Sequence, residues 1–306
     1  METRRLIYIA GTGRNGSTLL GQCLALNSNI SFPGELTHVW KRGFVDDELC
    51  GCGSRFSECK HWSRVQSNFR GEYKRFDISK VLLHRNQSSS FRRMVNLQLN
   101  QRLGGMNDVA YVTHYSALLS AIVNATHCPV VVDSSKYPTD LGVLLEQQRK
   151  LPPVFVVHLV RDCRAIVSAW KRKKQRLEIY WEHRLMPRYP TVVSAISWRM
   201  FNSHIRRLIE RYQVPALVVR YEDFATDPSG VLETVLQTAQ VEGGIQSSCV
   251  NGFRERCHPI GGNPDKLDFD FANIRSDLGW KDRLALSDRI LVRLLAGRMQ
   301  RAYGYN

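Results

Sequence analysis

The stretch LIYIAGTGRNGSTLLGQCLAL, Leu6 to Leu26, sets an apolar strand, a glycine-rich turn and an apolar helix in immediate succession. In that order, the backbone amides of the turn and the free amides of the helix N-terminus converge on a single anion. Three more β-branched runs, Val130 to Asp133, Val154 to Val160 and Ala216 to Arg220, are each followed by a helical pattern. The helices expected are Ser17 to Leu26, Thr139 to Lys150, Arg164 to Arg176 and Gly230 to Ala239. Such alternation predicts an α/β fold around a buried parallel sheet.

A longer amphipathic helix is predicted over Pro190 to Tyr212, burying Val193, Ile196, Met200, Ile205, Leu208 and Ile209. A last helix is expected from an N-cap at Ser287, burying Ile290, Leu291, Leu294, Leu295 and Met299. The segment from Trp40 to Asn107 lacks strand signals and is rich in Arg, Ser, Gln and Asn. It reads as an insertion of helices and loops on the substrate side of the sheet. Gly261 to Asp270 reads as a loop.

A chain of 306 residues with 43% hydrophobic content buries an ample core without staples. No window approaches the roughly 20 apolar residues of a membrane span, and no secretory signal is recognisable, which points to a cytoplasmic protein. The formal charge of +15 calls for an anionic ligand or partner. Nucleic acid is not expected, since RNP aromatics, zinc-finger spacing and a helix-turn-helix are all missing. The densest basic run, KRKKQR from Lys171 to Arg176, reads as a solvated helix face.

Eight cysteines include a cluster in CGCGSRFSECKHW, where Cys50, Cys52 and Cys59 precede His61. Three Cys and one His could form a zinc site, but this spacing is no standard ligand frame, and reduced structural thiols are the favoured reading. His114, His158 and His258 read as core or loop hydrogen-bonders, and Cys163 as incidental.

Which phosphate the first turn holds is decided by its residues. A Walker loop requires Lys after its second glycine, where this chain has Ser17 and then Thr18. A dinucleotide loop requires an acid about 20 residues on. Glu35 is near that distance but follows Pro33-Gly34, and Arg14 would crowd the approach of a pyrophosphate. An Arg within the loop suits a compact tetrahedral anion bound without metal.

At this point GTGRNGSTLL resembles the 5'-phosphosulfate loop of sulfotransferases that use 3'-phosphoadenosine 5'-phosphosulfate (PAPS). VVHLVRDCRAIVSAW is similar to the family's 3'-phosphate motif, and VVVDSSKYP, VVRYEDFATDP and HPIGGNPDKL resemble further blocks in the expected order, from Leu6 to Tyr305. The resemblance implies a single P-loop-kinase-like domain over residues 1–306, with PAPS as co-substrate and no metal required. It places Gly13, Arg14, Asn15, Gly16, Ser17 and Thr18 around the phosphosulfate and Arg161 on the 3'-phosphate.

The resemblance also places Ser168 and Lys266 on the nucleotide, but both depart from the family pattern: Ser168 lies one residue before the expected serine, whose place is taken by Ala169, and Lys266 stands where an Arg usually closes over the nucleotide. Among groups for the transfer itself, Glu35 is the expected base, with His38 as runner-up, and Arg14 and Lys136 are expected to neutralise the leaving oxygen. The alternatives for Glu35 and Lys136 are a helix-start acid and a solvated turn residue. A small-molecule kinase and a non-catalytic nucleotide or polyanion binder remain as other functions. The acceptor is expected to be a small molecule or glycan.

Overall fold

An apolar strand with no polar alternation is accommodated between two helical layers, and β1 (Arg5–Gly11) is buried from its second residue onward. Leu6, Tyr8 and Ala10 face one core, whereas Ile7 and Ile9 face another across the sheet. The computed structural model describes residues 5–72, 77–88, 105–245, 250–275 and 277–306. Among them β2 (Ile30–Gly34), β3 (Val130–Lys136), β4 (Val154–Val160), β5 (Ala216–Arg220) and β6 (Cys257–Ile260) complete one sheet of order β5-β4-β1-β3-β2-β6. All its pairings are parallel. The chain moves outward from β1 to one side and then to the other, so the crevice at the C-terminal end of β1 is the switch point where such sheets bind ligands.

The helices are α1 (Ser17–Leu24), α2 (Leu36–His38), α3 (Lys60–Glu72), α4 (Ile78–Ser88), α5 (Met106–Thr126), α6 (Pro138–Glu146) and α7 (Cys163–Lys171), followed by α8 (Thr191–Tyr212), α9 (Tyr221–Thr226), α10 (Pro228–Thr238), α11 (Val250–Arg256), α12 (Trp280–Arg283) and α13 (Leu286–Ala302). A π-helical turn, Val39–Gly43, follows α2. The described residues of the segment from Trp40 to Asn107 contain no strand, and their Trp62, Val65, Phe69 and Val81 join Tyr111 and Val112 of α5 in one core. The parts at 73–76 and 89–104 lie outside the described residues.

Three sequence expectations are corrected. The helix α7 ends at Lys171, where Arg172 turns extended (ψ 139), so KRKKQR is no helix face. On α13 the cap is Ala285 rather than Ser287, and Ile290 and Leu294 are exposed while Val292 and Ala296 are buried. On α8 the buried stripe runs through Ala195 and Trp198, leaving Val193 and Ile196 exposed. In both helices, small residues let a neighbour approach closely, and that contact outweighs the count of large apolar side chains.

Two strands were not expected, β2 (ISFPG) and β6 (CHPI), each short and each containing proline. They matter for the site because Gly34 ends β2 with φ 93, a left-handed turn that aims Glu35 across the strand ends. A Cβ there would lie 2.4 Å from the Ile260 carbonyl oxygen. Gly34→Ala is therefore expected to destabilise the fold by about 2 kcal/mol or more, from both strain and overlap. Thermal denaturation checks this, with a fall of several degrees expected and an unchanged midpoint contradicting the role.

Candidate active site

The turn after β1 is built by its own side chains. Asn15 is buried and donates Nδ2 to the Leu159 carbonyl at 3.0 Å, while its Oδ1 accepts the Ser17 amide at 3.1 Å. Its side chain therefore braces the loop. Gly16 caps α1 at φ 96, and a Cβ there would meet the Tyr221 ring at 2.4 Å. No acidic residue occupies the first turn of α1, so its positive dipole end faces the crevice uncompensated by a side-chain charge.

Above this turn lies a cleft of about 610 Å³. It is lined by Gly13, Arg14, Asn15, Gly16, Ser17 and Thr18, and also by Glu35, His38, Lys136, Arg161 and Lys266. Thus residues from five separate stretches of sequence meet at one end of the sheet. Ser168 is buried on α7 but does not line the cleft, whereas Ala169 does. One step along a helix rotates a side chain by about 100°, which is enough to turn the displaced serine away.

The two arginines meet at the turn. Arg161 donates Nη1 to the Arg14 carbonyl at 2.9 Å and lies 4.4 Å from the Tyr221 ring centre. Arg14 stands 5.1 Å over Trp170 and reaches Asn263 Oδ1 at 3.5 Å. Its backbone is left-handed at φ 69. Burial lowers the Arg14 pKa from its usual value, and neighbouring Arg172 and Arg161 lower it further. The Nε atoms of both Arg14 and Arg161 are buried with no hydrogen-bond partner among the described residues. Asp277, 3.5 Å from Arg161 Nη2, is the carboxylate paired with this group.

Lys266 behaves differently from an Arg that would close over a ligand. It is buried and gives Nζ to the Gly261 carbonyl at 2.9 Å, securing its own loop. Burial pulls its pKa down. Thr18 Oγ1 accepts the Asn263 amide at 3.1 Å, so the same loop is fastened to the start of α1.

Three basic side chains at the rim were not anticipated. Arg172, Lys174 and Arg176 line the cleft, and Lys173 and Gln175 do not. That two-residue alternation is the signature of extended chain, and Gln175 indeed bridges Leu185. Lys174 pairs with Asp265 at 2.6 Å, and Arg176 with Glu48 at 2.8 Å. Nine basic and five acidic side chains line the cleft in all. The spacing R-x-K-x-R was the signal available in the sequence.

The opposite wall holds Glu35. A buried Asp133 fixes the turn that carries it: its Oδ1 accepts the amides of Leu36 (3.1 Å) and Ser135 (2.8 Å), and its Oδ2 accepts the Tyr115 hydroxyl at 2.6 Å. Ser135 Oγ in turn accepts the Thr37 amide at 3.0 Å. Lys136, left-handed at φ 74, comes off the end of β3 and donates Nζ to Glu35 Oε1 and to the Ser134 carbonyl. His38 Nε2 lies 3.4 Å from Glu35 Oε2. Burial by itself would raise the Glu35 pKa, but Lys136, His38 and Arg42 overcome it and bring the carboxyl down to about 2. Burial and Arg42 push His38 to about 3, so the imidazole is neutral at pH 7.

Residues 7–243 match the model of the sulfotransferase family. This chain is a sulfotransferase-family member. No curated protein matches it significantly. Among solved structures, sulfotransferase STF9 from Mycobacterium avium aligns with TM-score 0.50 and 10% identity, over 100% of this chain and 78% of that one. The sulfotransferase domain from the Synechococcus PCC 7002 olefin synthase aligns with TM-score 0.48 and 19% identity, over 96% and 95% of the two chains. The fold is thus that of sulfotransferases, a P-loop-like α/β domain with one open parallel sheet. Among the described residues no helix is long and apolar enough to cross a membrane.

The cysteine cluster also lies in the described structure, with one substitution of partner. Cys50, Cys52 and Cys59 come together with His258, and His61 instead stacks its ring on that of His258 at 4.4 Å. Local spacing could not reveal a histidine so far along the chain.

The Glu35–Lys136 pair has a pH signature. A carboxyl held near 2, against about 4.3 when unfolded, stabilises the fold above pH 4.3 and loses that contribution as pH falls toward 2. Lys136→Met leaves the buried carboxylate without its ammonium, which is expected to cost about 3–5 kcal/mol at pH 7. Because the variant's Glu35 then accepts a proton readily, the gap to the parent protein should narrow as pH falls from about 6 to 3. Urea denaturation across that range checks it, and a gap independent of pH would contradict the pairing.

Proposed function

We propose that this sulfotransferase moves a sulfuryl group from PAPS to a hydroxyl or amine of a carbohydrate or small-metabolite acceptor. The observation that carries this reading is that Arg14 and Arg161, distant in sequence, line one cleft beside a lysine-free amide turn. A nucleotide with anionic groups on both sides of its ribose suits two such guanidiniums. The donor, once bound, supplies a sulfuryl group on a phosphate leaving group.

The remaining work falls to this chain. The amides and hydroxyls of Gly13, Gly16, Ser17 and Thr18 would hold the 5' end, and Arg161 the 3'-phosphate. Arg14 and Lys136 would offset negative charge on the departing oxygen. Glu35 would accept the acceptor's proton, with neutral His38 orienting the carboxylate. While Lys136 is engaged with Glu35, the carboxylate is a weak base. Drawing Lys136 toward an arriving anion would free it and strengthen it, so base strength would follow donor binding. Trp170 and Tyr189, packed edge to face at 4.9 Å on the cleft wall, offer flat apolar surfaces to a ring-shaped acceptor.

Calorimetry with 3'-phosphoadenosine 5'-phosphate should show binding that ATP and NAD do not match. Arg161→Ala should weaken that binding by about tenfold or more, the worth of charge-assisted hydrogen bonds. Glu35→Gln should keep nucleotide affinity while labelled-sulfate transfer to a panel of acceptors falls about 10²- to 10⁴-fold. Full transfer by Glu35→Gln would exclude it as the base. Turnover of ATP with magnesium, with no binding of the bisphosphate, would favour a kinase instead.

A further inference from the structure

Away from the cleft, Cys50 and Cys59 are almost wholly buried, Cys52 is exposed, and His258 is buried on β6. Cys50 Sγ lies 3.5 Å and Cys59 Sγ 3.3 Å from His258 Nδ1, and Cys52 Sγ lies 3.6 Å from Cys59 Sγ. All four ligand atoms fall within 4.8 Å of one another.

These distances can be compared with the edges of a coordination tetrahedron. With zinc–sulfur bonds of about 2.3 Å and zinc–nitrogen bonds of about 2.0 Å, tetrahedral edges are about 3.8 Å between sulfurs and about 3.5 Å from sulfur to nitrogen. The three contacts given above lie within a few tenths of an ångström of these edges, and no pair of the four atoms is more than 4.8 Å apart. A disulfide does not explain them, since it needs sulfurs about 2.05 Å apart and would leave the third thiol and the imidazole without a role. His61 is excluded as fourth ligand because it presents its ring face, at 8° to the His258 plane, instead of a nitrogen.

We propose that Cys50, Cys52, Cys59 and His258 form a closed, four-ligand structural zinc site. Three thiolates and one imidazole are a standard structural zinc set, with no position open for substrate. The ligands join two parts of the molecule remote in sequence, the loop between the π-helical turn and α3, and the edge strand β6. Weaker contacts already run the same way: Gly51 gives its amide to the Pro259 carbonyl, and Trp62 gives Nε1 to the His258 carbonyl, both at 3.0 Å. Two residues beyond His258, the Ile260 carbonyl accepts the Glu35 amide at 2.9 Å. The ion would therefore anchor the strand against which Glu35 is set, and through it the loop from Gly261 to Lys266 that borders the cleft.

The test uses the full chain, purified under reducing conditions without chelator. Elemental analysis should give about one zinc per chain. Replacement by cobalt should produce the visible bands of a tetrahedral, thiolate-bound ion. Cys52→Ser and His258→Ala should lose the metal and those bands, whereas His61→Ala should keep both. Chelation should lower the melting temperature by about 5 °C or more, with zinc restoring it. A folded parent protein that carries no metal and gives no cobalt bands would overturn the site. So would a Cys52–Cys59 disulfide in freshly prepared protein, or retention of metal by His258→Ala with its loss in His61→Ala.

Discussion

A single buried carboxylate holds the two sides of the cleft in register. Asp133 sits at full burial near the end of β3 and accepts hydrogen bonds from the turn after β2, from β3 itself and from α5. Burial pushes its pKa up, and the donors around it pull it down. Burial wins and the pKa ends above its usual value, and both oxygens accept hydrogen bonds, as a buried carboxyl requires. The strands lose regular register here, between Ser31 and Gly34 on one side and opposite Lys136 on the other. Asp133 replaces the missing ladder bonds, and the departure from regularity is what lets Glu35 and Lys136 face each other.

The basic wall is organised by a different principle. Like charges repel, so a group of guanidiniums around an aqueous cleft holds its shape only with mechanical support. Arg161 is held by the Arg14 carbonyl, by Asp277 at 3.5 Å and by the face of Tyr221. Arg14 rests on Trp170. Aromatic faces support a cation without consuming its N–H donors. Such a site is arranged before its ligand arrives, and little ordering then opposes binding.

Much of the sheet was legible because β1, β3 and β4 are buried on both faces or nearly so, and apolar runs such as VFVVHLV can serve little else, while the half-buried edge strand β5 still keeps an apolar β-branched run. The strands β2 and β6 were hidden by proline and by brevity, although their contribution to the site is as large. The first turn, Glu35, Lys136 and Arg161 were expected at one site from motif order, and they line one cleft. What stayed hidden depends on tertiary proximity. The rim basics were mistaken for a helix face because helix α7 stops five residues earlier than its pattern, at a change of backbone that no residue type in KRKKQR enforces. The reach of His258 to Cys50 and Cys59 is set by the pairing of β6 with β2, a fact of topology and not of spacing.

A lysine at position 266 fits its place in the loop in a way that an arginine would not. A guanidinium offers five donors in a plane and, when buried, needs several acceptors around it; an ammonium is a compact charge that one or two carbonyls can satisfy. Lys266 folds inward onto Gly261 and closes its own loop, while Gln22 binds the Lys266 carbonyl at 3.0 Å from the floor of α1. The loop is thereby fixed from within and needs no ligand to order it. Arg172 and Arg275 also line the cleft.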